Sequence, residues 1–318
     1  MQNRTVLWIF LAFTLGFILP VCSCAGIGLM TLSAFGQMAG EPALPVIGAG
    51  DAVALIDLNG MITSDQPQPI SVSLITPEQV EELLDQANSL DQVKAVVIRV
   101  NSPGGSVVAS DEIYHLLLDF DKPVVIWMGE TAASGGYYIS CAGDYVFAHP
   151  DTLTGSIGVI SQFINAEEFL DKYGIEAVVI TSGPHKDMGS LFRGMTAEEQ
   201  EIWNGMIDQI YDDFVTIVAD ARDLPVETVR ELADGRVYTG RQALEHGLID
   251  AVGLTSDAIE KAAELGGIEG EPQVIELKPS PSLLESLYSL QSRSAIPTLE
   301  EVLNWAGAPS VEYRFIGP

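Results

Sequence analysis

From Val6 to Met30 the chain is almost wholly apolar, and no charged residue lies between Arg4 and Glu41. A run of that length can cross a bilayer as a helix, with Pro20 tolerated inside it. Further along, short apolar runs alternate with helical stripes. Ala52–Leu58, Val93–Val100 and Pro123–Met128 are largely apolar and of strand length, as expected for parallel strands buried on both faces. Val80, Leu83, Leu84 and Ala87 recur at helical spacing behind Thr76-Pro77-Glu78-Gln79. There Thr caps the helix, Pro fits its first turn and Gln closes a capping box. Ser110–Leu118 and Gly135–Ala142 continue the alternation. It predicts an α/β fold of mainly parallel strands joined by right-handed crossovers, with active groups at the strands' carboxyl ends. A second capping box, Thr196-Ala197-Glu198-Glu199, opens the longest soluble helix, running to about Arg222. Ile202, Met206, Ile210, Phe214 and Val218 form a stripe along it for core or subunit packing.

These patterns divide the chain into an anchor over 1–35, a Gly/Pro/Ala-rich connector over 36–50, a domain over 51–277 and a tail over 278–318. Five prolines make the tail irregular, with one short helix expected near Leu299–Trp305. Arg4 is the only basic side chain before Lys94, so the positive-inside rule keeps the N-terminus cytoplasmic and the domain outside. The apolar run is too long for an ordinary cleaved signal peptide. Val21-Cys22-Ser23-Cys24 is compatible with a lipoprotein signal, in which Cys24 would be acylated. Only Cys141 lies beyond these cysteines, so the domain has no disulfide framework.

The chain carries 44 acidic against 15 basic residues, a net charge of −29, and every acidic residue lies after position 40. Such a surface excludes nucleic acid and anionic lipid as natural partners. The four histidines are scattered without metal-ligand spacing, so neither a metal nor another cofactor is expected.

The chemistry concentrates in three loops. Thr131-Ala-Ala-Ser-Gly-Gly-Tyr-Tyr138 follows a strand and enters a helix, placing Ser134 among backbone N–H groups that can stabilise a developing oxyanion. Asn101-Ser-Pro-Gly-Gly-Ser106 also follows a strand. Its Gly104 and Gly105 can bring one oxyanion donor close to a ligand while the Gly135 amide supplies the other. Val178-Val-Ile-Thr-Ser-Gly-Pro-His-Lys-Asp-Met-Gly-Ser190 reads as a strand leading to Lys186 in a Gly/Pro/Ser loop. A lysine kept neutral by desolvation can serve a serine as its base, although the acidic domain and the adjoining Asp187 oppose that state. His185 or His149 in a Ser-His-Asp triad is the alternative base.

These loops, with Asp151–Val159 and Tyr238–Asp250, resemble the signal peptide peptidase (protease IV) family of membrane-anchored serine proteases. That family belongs to the ClpP/crotonase superfamily, and this chain is similar to its short single-copy form over roughly Asp51–Leu277. The resemblance implies a core of repeated ββα units and a Ser134–Lys186 dyad acting through an acyl-enzyme. It also implies oxyanion donors at Gly104, Gly105 and Gly135, and a hydroxyl at Ser156 that orients the lysine. It further implies peptide substrates, among them cleaved signal peptides left in the membrane. A homo-oligomeric ring would complete one protomer's serine with its neighbour's lysine. Two rival classes are a crotonase-type acyl-CoA enzyme and a non-catalytic membrane scaffold. The first has few basic residues for the CoA phosphates and an extracytoplasmic domain would rarely meet CoA, and the second would be expected to lose Ser134 or Lys186.

Overall fold

The computed structural model describes residues 50–64, 73–279 and 311–315, all within the unit Gly48–Pro318. The anchor, nearly all of the connector and the helix expected near Leu299–Trp305 lie outside the described residues. Among the described residues, no helix is long and apolar enough to cross a membrane.

The apolar runs form the middle of a twisted α/β sheet. Its order is Val237–Thr239, Leu153–Gly155, Val124–Ala133, Val93–Ser102, Ala52–Asn59 and Gln273–Leu277, and Tyr145–Ala148 also pairs with Val124–Ala133. Every pairing in this sheet is parallel except Val237–Thr239 with Leu153–Gly155. The central strands are continuous apolar runs because helices cover both faces. Val53, Val97 and Val125 pack on Ala258 and Ala262 of the helix Thr255–Leu265. Val80, Leu83 and Ala87 of the helix Pro77–Ser89 are likewise buried, as are Ile113 and Leu117 of the helix Val107–Leu118. Each such Val, Leu or Ile side chain contributes about 1.5–3 kcal/mol by leaving water, and each Ala less.

Two expectations need adjustment. Thr76 accepts from Gln79 N at 3.3 Å, so it caps the first helix as read, but the reciprocal Gln79 half of the box is not formed. The helix Ala197–Arg222 closes its box fully, yet only the C-terminal half of its stripe is core. Phe214 and Val218 are buried, whereas Ile202 and Met206 are exposed.

A second, smaller sheet includes the Gly104 loop. Gly104–Ser106 takes Met61–Ile62 on one side in parallel and Val311–Arg314 on the other antiparallel, and the latter also pairs with Ile160–Ser161. Part of the tail expected to be irregular is therefore a strand.

Candidate active site

Ser134 stands between the strand Val124–Ala133 and the helix Gly135–Ser140. Its backbone is forced into φ 55°, ψ −118°, a sparsely populated region costing on the order of 1–3 kcal/mol for a non-glycine residue. Two hydrogen bonds hold it there: Ser134 N donates to Gly155 O at 2.7 Å, and Tyr138 N donates to Ser134 O at 2.8 Å. The small residues after it are a requirement of packing. A Cβ on Gly136 would stand 2.6 Å from Ser102 O, and one on Gly135 would stand 2.6 Å from Ser110 Oγ.

The Gly104 loop meets this turn directly. A Cβ on Gly104 would lie 2.6 Å from Gly135 N, and its φ of +96° already favours glycine. Gly104 N donates to Ser102 Oγ at 3.1 Å, so that amide is engaged within its own loop. The structure thus sets the Gly104 loop against Gly135, the residue after Ser134.

Ser156 joins them from the other side. It follows the strand Leu153–Gly155 at φ 49°, and its N donates to Arg236 O at 2.8 Å. Ser134, only 1% exposed, opens with Ser156 onto a cleft of about 580 Å³ also lined by Ile160, Asp208, Asp234 and Arg314. Arg236 grips the Asp234 carboxylate and holds it down to about 2.

Lys186 is not brought to this cleft within one chain. It lies exposed in a run of turns from Pro184 to Gly189. The strand expected at Val178–Ile180 does not form: Val178 is 77% and Ile180 92% exposed, and among the described residues no strand pairs with them. An apolar run becomes a strand only when a sheet edge or a packed face receives it, and among the described residues neither does. The histidine alternatives do not line the cleft either. His149 Nδ1 accepts from Asp151 N at 3.2 Å, and His185 faces Glu198 and Glu199 at 3.7 and 3.9 Å. Burial pushes the Cys141 thiol up to about 12, which leaves it unsuited to nucleophilic work.

The contribution of the tail was missed in the sequence. Val311–Arg314 runs antiparallel to Gly104–Ser106, with Tyr313 opposite Gly105 and Arg314 opposite Gly104, and Phe315 N donates to Pro103 O at 2.8 Å. The Tyr313 carbonyl oxygen lies at the junction of the two loops, 2.0 Å from where a Cβ on Gly104 would sit and 3.1 Å from one on Gly135. The Tyr313 ring, 1% exposed, stacks on Tyr138 and packs at a tilt against Phe214, with centroids 5.0 and 4.7 Å away. The signal was present in Val311-Glu-Tyr-Arg-Phe315, where apolar and polar residues alternate strictly.

The model of Peptidase family S49 matches residues 117–269, and that of Clp protease matches residues 71–154. "Putative protease slr0021" of Synechocystis sp. is 41% identical over 227 residues, covering 71% of this chain and 77% of that protein. "Putative signal peptide peptidase SppA" of Enterococcus faecium is 37% identical over 65% of this chain and 62% of its own length. "Serine protease SPPA, chloroplastic" of Arabidopsis thaliana is 36% identical over 78% of this chain but only 38% of its own length.

Proposed function

Because the chain belongs to peptidase family S49, we propose that it is a membrane-bound serine endopeptidase in which Ser134 is the nucleophile and Lys186 the general base. The observation that carries this reading is the seat of the Tyr313 carbonyl beside Gly104 and Gly135, next to Ser134. An extended segment of polypeptide already pairs there with Gly104–Ser106, as a peptide substrate adding a strand to that edge would.

In the reaction, Ser134 Oγ attacks the scissile carbonyl as Lys186 Nζ takes its proton. The tetrahedral oxyanion draws on the Gly135 amide and on the Gly104–Gly105 loop, where the Gly104 amide must first leave Ser102 Oγ. The protonated lysine then gives its proton to the leaving amine. Water, deprotonated by the same lysine, releases the acyl group and regenerates Ser134. Ser156, beside Ser134 in the cleft, orients the lysine. Since Lys186 is exposed in its own chain, the base comes from a neighbouring protomer, and the bare Val178–Ile180 run is the surface that docks it. Substrates are extended hydrophobic peptides, including signal peptides left in the membrane. The apolar run Val6–Met30 anchors the enzyme, with its domain on the extracytoplasmic side. The carboxylates of Asp208 and Asp234 in the cleft count against CoA phosphates as ligands.

Labelling the full chain with a fluorophosphonate tests the reading. Attachment at Ser134, lost in Ser134→Ala and slowed strongly in Lys186→Ala, is the expected result. Binding of an acyl-CoA without labelling would replace it with the crotonase-type chemistry.

A further inference from the structure

The loop that carries Lys186 is held by one guanidinium. Arg193 Nε and Nη2 donate to Asp187 Oδ2 and Oδ1 at 2.9 and 2.7 Å, while Nη1 and Nη2 donate to Glu199 Oε2 and Oε1 at 2.8 and 2.6 Å. Glu199 is fixed in turn. It is 1% exposed and accepts from Thr196 N at 2.9 Å in the capping box of the helix Ala197–Arg222. Two paired bonds to each of two carboxylates use the planar fork of arginine, which a lysine's point charge cannot match. Arg193 therefore ties Asp187, the residue after Lys186, to the first turn of a long helix.

This arrangement bears on the base. A carboxylate within about 4–6 Å of an amine favours its protonated, inactive form. Asp187, Glu198 and Glu199 are the acidic groups of the loop and of the helix start against it, Glu167 of the helix Glu167–Lys172 accepts from Gly194 N at 2.9 Å, and His185 is the other titratable group there. Arg193 engages Asp187 and Glu199 and holds both carboxyls below their ordinary range, Glu199 at about 2. Glu198 faces His185 Nε2 at 3.7 Å. Among the described residues, Lys186 makes no side-chain hydrogen bond or ion pair.

We infer that Arg193 is a positioning residue for the catalytic lysine: it withholds the Asp187 carboxylate from Lys186 and fixes the loop that presents Lys186 to a serine. The inference rests on the Ser134–Lys186 reading. It answers how a lysine next to an aspartate, in a strongly acidic domain, is kept available as a base.

The test is the pH profile of kcat/KM on a peptide substrate, measured on the full chain as wild type, Arg193→Met, Arg193→Lys, the double variant Arg193→Met/Asp187→Asn, and Lys186→Ala. With Arg193→Met, Asp187 is released to pair with Lys186. The rising limb then moves to higher pH by about one unit or more, so activity near neutrality falls roughly tenfold and recovers at the alkaline end. Arg193→Lys shifts it less, and removing the Asp187 charge in the double variant brings the limb back. A loss in Arg193→Met that is equal at every pH, unrelieved in the double variant, would overturn the inference and leave the fork a purely structural tie. If Arg193→Met does not fold, Arg193→Lys, which keeps a cation beside Glu199 but loses the fork, decides the same question: a rising limb moved to higher pH supports the inference and an unmoved one overturns it. Lys186→Ala separates the two levels: near-normal turnover with an unmoved rising limb would sink the lysine-base reading itself, in protein whose Arg193 is intact.

Discussion

The backbone oxygen of Tyr313 occupies the space that a side chain on Gly104 would need, 2.0 Å from the position of its Cβ. A peptide pairing with the Gly104–Ser106 edge must displace this strand. Tyr313→Ala removes the ring packed on Tyr138 and Phe214, and such truncations typically cost about 3–5 kcal/mol. For a strand of four residues this is enough to detach it while the main sheet stays folded. The expected outcome is a lower KM with little change in kcat, together with faster hydrogen exchange at the Phe315 amide. An unchanged KM with the amide demonstrably freed would show that substrate enters along another edge.

Gly136→Ala tests why small residues follow the serine. The new methyl would stand 2.6 Å from a backbone oxygen, Ser102 O, which has no flexible end to swing aside. The short helix must shift, at an overpacking cost of about 1–3 kcal/mol. Thermal denaturation should show a lowered midpoint, and kcat should fall because Gly135 and Ser134 move with the helix. Wild-type stability in this variant would mean that the turn is looser than its geometry.

Much of this site was legible in the sequence because its signals are local. Continuous apolar runs between capped helices require a parallel sheet covered on both faces, and the strands at Val93–Ser102 and Val124–Ala133 follow. Paired glycines after each strand announced a close backbone approach, which the Gly104–Gly135 junction provides. What sequence concealed is non-local. The alternation at Val311–Phe315 marked a strand, but nothing in it named Gly104–Ser106 as its partner. Val178–Ile180 has strand composition and no partner edge among the described residues, so propensity there had nothing to act upon. The double grip of Arg193 depends on two carboxylates, six residues away on either side, that converge only in three dimensions.

Acid should loosen the Lys186 loop in a defined window. Arg193, with the Thr196 backbone, lowers the Glu199 carboxyl from 4.5 to about 2. A group with a depressed folded-state value contributes stability that is complete above its unfolded value and is lost as pH falls through the folded one. The loss should therefore run from about pH 4.5 down to about pH 2. Glu199→Gln should lower stability at pH 7 and make the dependence shallower across that window, measured by denaturant unfolding at each pH. Parallel curves for wild type and variant would exclude Glu199 as a source of the acid sensitivity.

The last prediction concerns how the proposed dyad of Ser134 and Lys186 is assembled. Ser134 faces a cleft that Lys186 of the same chain does not line, and Lys186 lies in an exposed loop preceded by the bare apolar run Val178–Ile180. Two incomplete halves on one chain make a complete site when copies associate head to tail, and a closed ring satisfies every copy at once. Ser134→Ala and Lys186→Ala protomers should each be inactive, and mixing them should restore part of the activity. Recovery arises at interfaces that pair an intact serine with an intact lysine. Ile180→Glu should abolish that recovery, because burying an unpaired carboxylate in an apolar contact costs several kcal/mol. Its effect should appear as smaller particles in sedimentation, without a change in the fold of the protomer. Mixed oligomers that form but stay inactive would place the serine and its lysine in one chain, brought together by a rearrangement of the 175–190 segment.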